Sequence, residues 1–506
     1  MSYQQEIQTR LAVCDEAKDL EKALECEELE SVLKGGMGSF SIRYWFINTY
    51  NNYINCKASN PCFGSTPANN DVYNREYVLD IIRQIIRGKR CEPIDILLIS
   101  RDRQVEIKTR EGYIKSDYIF YSVIRELSKK KPELRVYLHI FGENDRRYEH
   151  IKPSDLLRSA WIGVVTSLKW RRHRNRILNH LRLHNCVNSE IWAMRFFSIR
   201  WLIGHALIGY SLNNVIKSSN PRVILSNDDS VYTKPLNDRD RKFIVLQSAR
   251  MVEYAEDCSR LIFKEEPDLM PDLFLASGEY FAEIKKRYNM AKKVVVVGLP
   301  RYDVLFEPES IYSKAEFLRR FGIESGQKVV LWSTQCQAFS DEENSLNIRS
   351  LFSSLTRLKG VVLIVKQHPA ESQRYTDLLN QHIEKYGIKA WLAPKNSDTY
   401  ELLFACDLMI TRHSTTAMEA VALNRPVIVL NLSGEPDPVE YVNEGVALGV
   451  YEEQDIGPAI QRLLEDDSDL AANRMVYINK YLYRIDGKAT QRVVDIIDSM
   501  LDERLS

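Results

Sequence analysis

Four apolar runs in the second half of the chain end in polar residues suited to holding an anion. "LWSTQ" ends in Ser333, Thr334 and Gln335, and "LIVKQHP" ends in Lys366, Gln367, His368 and Pro369. "MITRHSTT" ends in Arg412, His413, Ser414, Thr415 and Thr416, and "IVLNLSGEPDP" carries Ser433 and Gly434. Hydroxyls donate to phosphate oxygens, and a helix opening at Thr415 would aim unpaired N–H groups at an anion. His368, or Lys366 beside it, would offset phosphate charge. Glu419, at least a turn into that helix, can accept from two ribose hydroxyls. Together the set suits a nucleotide diphosphate. Singly, each residue has a plainer role: Ser414 suits a helix N-cap, His368 a structural strand end, Glu419 a solvated helix face. Capping alone does not require coincidence at four strand ends.

The elements that must position these residues are read from hydrophobic pattern. "QKVVLWSTQ", "GVVLIVKQHP", "IKAWLA", "DLMITRHS", "RPVIVLNLSG" and "GVALGVY" read as buried strands separated by helices. Upstream, from Pro93, "IDILLIS", "LRVYLHIFG", "PRVILSN", "KFIVLQS", "DLFLASG" and "KVVVVG" repeat the alternation. Apolar strands alternating with helices imply parallel sheets covered on both faces. The predicted fold is therefore α/β, with two tandem Rossmann-like domains facing a cleft, at 93–305 and 306–506. Residues 1–92 read as a helical N-terminal extension without strands, interrupted by the loop-like "NNYINCKASNPCFGSTPANND".

Bulk properties narrow the class. A chain of 506 residues exceeds one core. Its 69 basic and 69 acidic residues cancel, which argues against a nucleic-acid binder. Nine cysteines show no CxxC pair or zinc spacing, which suits a reduced, cytoplasmic setting. The polar opening "MSYQQEIQTRLAVCDEAKDL" does not read as a signal peptide. "IWAMRFFSIRWLIGHALIGYSL" is broken by Arg195, Arg200 and His205 and is not expected to span a membrane.

"VVVGLPRYDVL", "LIVKQHP" and "DLMITRHSTTAMEAVALNRPVI" together resemble nucleotide-sugar glycosyltransferases of the GT-B fold. The nearest resemblance is to CDP-glycerol glycerophosphotransferases and to bacterial sialyl- or polysialyltransferases, over roughly residues 220 to 450. It implies that His368 and the Ser414–Thr415 pair contact nucleotide phosphates, with Glu419 near the ribose. It further implies an acceptor role for the first domain, a donor role for the second, and a last helix, "QRVVDIIDSMLDERL", crossing back to the first. One departure stands out: relatives often have glutamine-histidine-glycine where Gln247 is followed by Ser248 and Ala249.

The leading expectation is transfer of a sugar from a nucleotide-activated donor to a surface-glycan or lipid-linked acceptor. A CDP-glycerol-type glycerophosphotransferase is the alternative. A sugar-nucleotide 2-epimerase comes third, because its "GTRPE" and "HVEAG" elements are absent. An inverting transfer needs a base. Asp228 and Asp229 in "VILSNDDS", and Glu111 in the loop-like "SRDRQVEIKTREGYIKSD", are the candidates. No DxD sits at a convincing strand end, so neither metal nor cofactor is expected. Finally, "LKWRRHRNRILNHLRLH", residues 168–184, is a basic helical stretch. It reads as a solvated face, an acceptor-side patch for an anionic glycan, or a peripheral contact with an anionic membrane.

Overall fold

A computed structural model of the chain describes residues 24–34, 36–37, 40–43, 46, 92–100, 104–140, 150–184, 193–194, 196–227, 241–248, 270–335, 340–368, 371–434, 437 and 439–502. They fall into two compact units. The N-terminal unit spans 6–103, 119–297 and 490–506, and the C-terminal unit contains 104–118 and 298–489.

The N-terminal unit opens with a helix, Glu27–Leu33, and an antiparallel pair, β1 (Gly36–Met37) and β2 (Phe40–Ser41). That pair corrects the expectation of a strandless extension; most of the remaining residues of 1–92 lie outside the described ones. Leu29, Val32, Leu33, Ile42 and Phe46 are buried in the same hydrophobic cluster as the strand residues Leu97, Ile99 and Ile224. This part of the extension therefore completes a core. After β3 (Ile96–Ser100) comes a hairpin, β4 (Gln104–Thr109) and β5 (Gly112–Asp117), where the sequence suggested a loop. Its turn depends on Gly112, whose φ of 125° disfavours any side chain although a Cβ would meet nothing.

Five further strands complete the first sheet: β6 (Val136–Ile140), β7 (Val223–Ser226), β8 (Lys242–Leu246), β9 (Leu273–Ala276) and β10 (Val294–Val296). The order is β10-β9-β8-β7-β3-β6, parallel throughout. Every residue of β3 and β7 is buried, as expected where helices cover both faces. Two long helices, Pro153–Leu183 and Ile199–Ser219, lie against each other. Their close approach requires Gly163, where a Cβ would stand 2.6 Å from Ile203 Cγ1. From Thr490 on, the last helix, Ala489–Asp502, belongs to this unit. It buries Val493, Val494, Ile497 and Leu501, while Arg492 Nε donates to the Val297 carbonyl at 2.8 Å.

The C-terminal unit holds β11 (Lys328–Ser333), β12 (Val361–Lys366), β13 (Ala390–Ala393), β14 (Leu408–Thr411), β15 (Val427–Leu430) and β16 (Leu448–Val450). Their order is β13-β12-β11-β14-β15-β16, again parallel. Counting from β11, this is the 3-2-1-4-5-6 winding, whose direction reverses between β11 and β14. A crevice at the carboxyl edge of such a switch point is where this architecture binds ligands. The β4–β5 hairpin clusters here. Lys108 Nζ donates to Glu401 Oε1 at 2.8 Å, and Arg320 Nη2 to Glu401 Oε2 at 2.6 Å.

Candidate functional site

Register brings the polar strand ends level. Ser333 pairs with Lys366 across β11 and β12, and Thr411 on β14 pairs with Val429 on β15. Neighbouring strands lie about 4.8 Å apart, so the four ends span roughly 15 Å.

At the switch point itself, Gln335 ties β11 to β14. Its Oε1 accepts from Thr411 Oγ1 at 3.2 Å and from the His413 backbone N–H at 3.1 Å, and lies 2.7 Å from His413 Nδ1. Gln335 was visible beside Ser333 and Thr334 in the sequence, but its tie to His413 exists only once the strands pair. The turn that follows is internally bonded. Ser414 Oγ accepts from Thr416 N–H at 3.2 Å and donates to Thr416 Oγ1 at 2.9 Å, while the Tyr441 hydroxyl donates to the Ser414 carbonyl at 3.0 Å. Thr415, not Ser414, is the N-cap of the helix Thr416–Ala422, and Thr415 is exposed. Arg412 Nη2 donates to Ser433 Oγ at 3.0 Å, joining the ends of β14 and β15.

On the other side, Ser333 and Thr334 are buried, and Thr334 Oγ1 donates to Glu371 Oε2 at 2.8 Å. Lys366 is 6% exposed, its Nζ donating to the carbonyls of Gln367 at 3.1 Å and Lys395 at 2.7 Å. Burial pushes its ammonium down to about 8; Lys395 adds to the shift and Glu371 opposes it. Lys366 therefore lies beneath the rim. His368 is exposed at the rim, where its carbonyl accepts from Glu371 N–H at 3.0 Å.

Glu419 departs from its expected setting. It is 3% exposed, accepting from the Tyr302 hydroxyl at 3.1 Å, with Arg301 Nη2 at 3.5 Å from the same oxygen. The Arg301 guanidinium lies 4.8 Å from each of the Tyr118 and Tyr302 ring centres, and Tyr118 stacks on Tyr400 at 5.8 Å. Burial pushes the Glu419 carboxyl up and Arg301 opposes it. The reason is the fold: Ala417 to Val421 are all buried, so this short helix is enclosed on every side and Glu419 is buried with it. Arg301 and Tyr302, from "GLPRYDVL", thus hold Glu419 in place, a task that their local sequence does not signal.

The base candidates fare unevenly. Asp228 and Asp229 lie outside the described residues. Glu111 is exposed at the β4–β5 turn, its N–H donating to Thr109 Oγ1 at 3.2 Å. The hairpin that carries it clusters with the C-terminal unit, whereas its position in the sequence suggests the N-terminal one.

Two Rossmann-like units in tandem, the second with a polar carboxyl edge at its switch point, place the protein in the GT-B fold class. Two solved structures of the wall teichoic acid polymerase TagF share the fold. A variant soaked with CDPG matches with a TM-score of 0.50 at 14% identity, covering 92% of this chain and 100% of that one. Another TagF structure matches with a TM-score of 0.50 at 14% identity, over 92% and 99% of the two chains. The chain belongs to the CDP-glycerol:poly(glycerophosphate) glycerophosphotransferase family, whose model matches residues 247–499. It is 22% identical over 253 residues to the teichoic acid poly(glycerol phosphate) polymerase of Bacillus spizizenii (strain ATCC 23059 / NRRL B-14472 / W23). That match covers 48% of this chain and 61% of the relative, so the chain spans about three fifths of that relative's length. This family corresponds to the alternative expected from the sequence rather than to glycosyl transfer.

Proposed function

We propose that the protein transfers an alditol phosphate, in the manner of a glycerophosphotransferase, from a CDP-activated donor to a hydroxyl of a surface-polymer acceptor. The observation that carries this reading is positional. The family match, residues 247–499, contains the whole second sheet and every polar strand end on its rim. The family's description, which names CDP-glycerol, supports the donor class, and the relative's name, which specifies poly(glycerol phosphate), supports the transferred group.

In this reading the acceptor oxygen attacks the distal phosphorus of the donor. The P–O bond to CMP breaks, the acceptor's proton passes to a base, and CMP leaves as an anion. His368 and the hydroxyls of Ser414 to Thr416 contact the diphosphate, and Lys366 offsets its charge from below. Asp228, Asp229 and Glu111 remain the candidates for the base.

The test is product analysis with the full chain, CDP-glycerol labelled at the distal phosphorus, and a lipid-linked glycerol phosphate primer. Label in the polymer together with released CMP is the expected result. Consumption of a UDP-, GDP- or CMP-linked sugar with no turnover of CDP-glycerol would overturn the reading and restore glycosyl transfer.

A further inference from the structure

Beneath the ends of β11, β12 and β13 lies a buried carboxylate that the transfer itself does not require. Glu371 is 5% exposed, and four hydrogen bonds meet at this residue. Its Oε2 accepts from Thr334 Oγ1 at 2.8 Å and from Gln367 Nε2 at 3.3 Å. Its N–H donates to the His368 carbonyl at 3.0 Å, and its own carbonyl accepts from Lys395 Nζ at 2.5 Å. Thr376 Oγ1 donates to Gln367 Oε1 at 3.0 Å, which leaves the amide Nε2 to face the carboxylate. One residue thereby joins the ends of β11 and β12, the turn that carries His368, and the segment following β13.

Tying a turn does not require a charge. A glutamine could accept from Thr334 equally well, and burying an anion costs far more than burying an amide. What the charge does is set by its neighbours. Lys366 is buried, and its two acceptors, the carbonyls of Gln367 and Lys395, are neutral. Burial drives the proton off this amine, Glu371 opposes that loss, and Lys395 adds to it. Without the carboxylate, two ammonium groups would share a poorly solvated site, and Lys366, the more buried of the two, would discharge first. A carboxylate under an anion pocket weakens the positive field there slightly, but it preserves the cation that makes the field.

We infer that Glu371 is a positioning residue for the donor diphosphate: it ties the His368 turn to β11 and keeps Lys366 cationic beneath the rim, with Lys395 acting in the opposite sense. The inference rests on the reading that this rim holds the donor's diphosphate. It adds that a buried residue acting only through His368 and Lys366 sets the pH range over which the diphosphate binds.

Binding titrations of the full chain with CDP across pH test this. Wild-type affinity should fall as pH rises through about 8. Glu371→Gln keeps an acceptor for Thr334 and removes the charge. Its fall should begin about one pH unit lower, so that it binds CDP about fivefold more weakly than wild type near pH 8 and within about twofold near pH 6.5. Lys395→Met should move the fall to higher pH, and this arm decides the matter should Glu371→Gln fail to fold. In a Lys366→Met background neither change should displace the profile. Titration of His368 and of the nucleotide is common to all these proteins, so the differences report Lys366. A merely structural tie would weaken binding by the same factor at every pH. That result, or displacement of both variants in one direction, overturns the inference. UDP and GDP, titrated in parallel, present the same diphosphate. Preference for either over CDP would overturn the CDP donor while the displacements, measured with the preferred nucleotide, still judge Glu371. Wild type that binds none of the three overturns both.

Discussion

His368 and Ser414 both sit at the rim. His368 is exposed, and His368→Ala should raise the donor's KM about tenfold, the size of one lost charge-assisted hydrogen bond. Ser414→Ala also removes the acceptor for Thr416 N–H and should add about 1 kcal/mol of destabilisation to a similar rise in KM. An unchanged KM in both would remove the rim from donor binding. For the base, Asp228→Asn, Asp229→Asn and Glu111→Gln are the decisive set. One of them should cut kcat about a hundredfold or more with donor binding intact, and full turnover in all three would place the base elsewhere. Lys366 makes a pH prediction with a definite sign. Its folded value of about 8 lies below the unfolded value of about 10.4. Between those values the unfolded chain holds more protons, so stability should rise with pH from 8 to about 10. Donor affinity should fall over the same start of range as the cation is lost. A Lys366→Met variant should show neither slope in thermal-shift and binding titrations.

Elements are held by residues whose partners lie far away in sequence. The helix Thr416–Ala422 has only seven residues and no side-chain cap, too short to be stable alone. Glu419 fastens it to Arg301 and Tyr302, and those aromatic and cationic groups fasten it in turn to Tyr118 at the end of β5. Removing one member of a buried ion pair leaves an uncompensated charge. Glu419→Ala should therefore cost about 3–5 kcal/mol in urea unfolding. The apolar double variant Arg301→Met/Glu419→Leu should lie closer to wild type than either single change. If Glu419→Ala unfolds like wild type, the pair is not what holds the helix.

At the scale of the whole molecule, the N-terminal unit depends on the helix Ala489–Asp502. Val493, Val494, Ile497 and Leu501 are all buried, and full burial of each such side chain contributes about 1.5–3 kcal/mol. Their sum is comparable to the entire stability of an ordinary domain. Ending the chain at Lys488 should therefore open the N-terminal unit. Limited proteolysis should then cut within the region 92–297 while fragments covering 298–488 persist. An unchanged digestion pattern would show that the helix contributes little. The ion pairs of Lys130 with Asp495 and of Lys131 with Asp498 are partly exposed, and they add little beside that apolar burial.

The sequence by itself determined the α/β class, the twelve strands of the two sheets and the polar character of the second sheet's strand ends. Each of these is a local property: an apolar run bounded by turn residues, followed by groups that cannot be buried without partners. Tertiary structure alone decided which ends are neighbours, because strand order is a matter of pairing across the chain. Thus Gln335 meets His413, 78 positions away, only because β11 pairs with β14. The same holds for Glu419, which by sequence suits a ribose contact or a solvated helix face and which packing turns onto Tyr302 and Arg301. It holds too for the β4–β5 hairpin, whose polar residues look like a loop and whose attachment through Lys108 to Glu401 spans 293 positions. Periodicity reports which side of an element is apolar. What lies against that side is set by contacts between residues too distant in sequence to leave a local pattern.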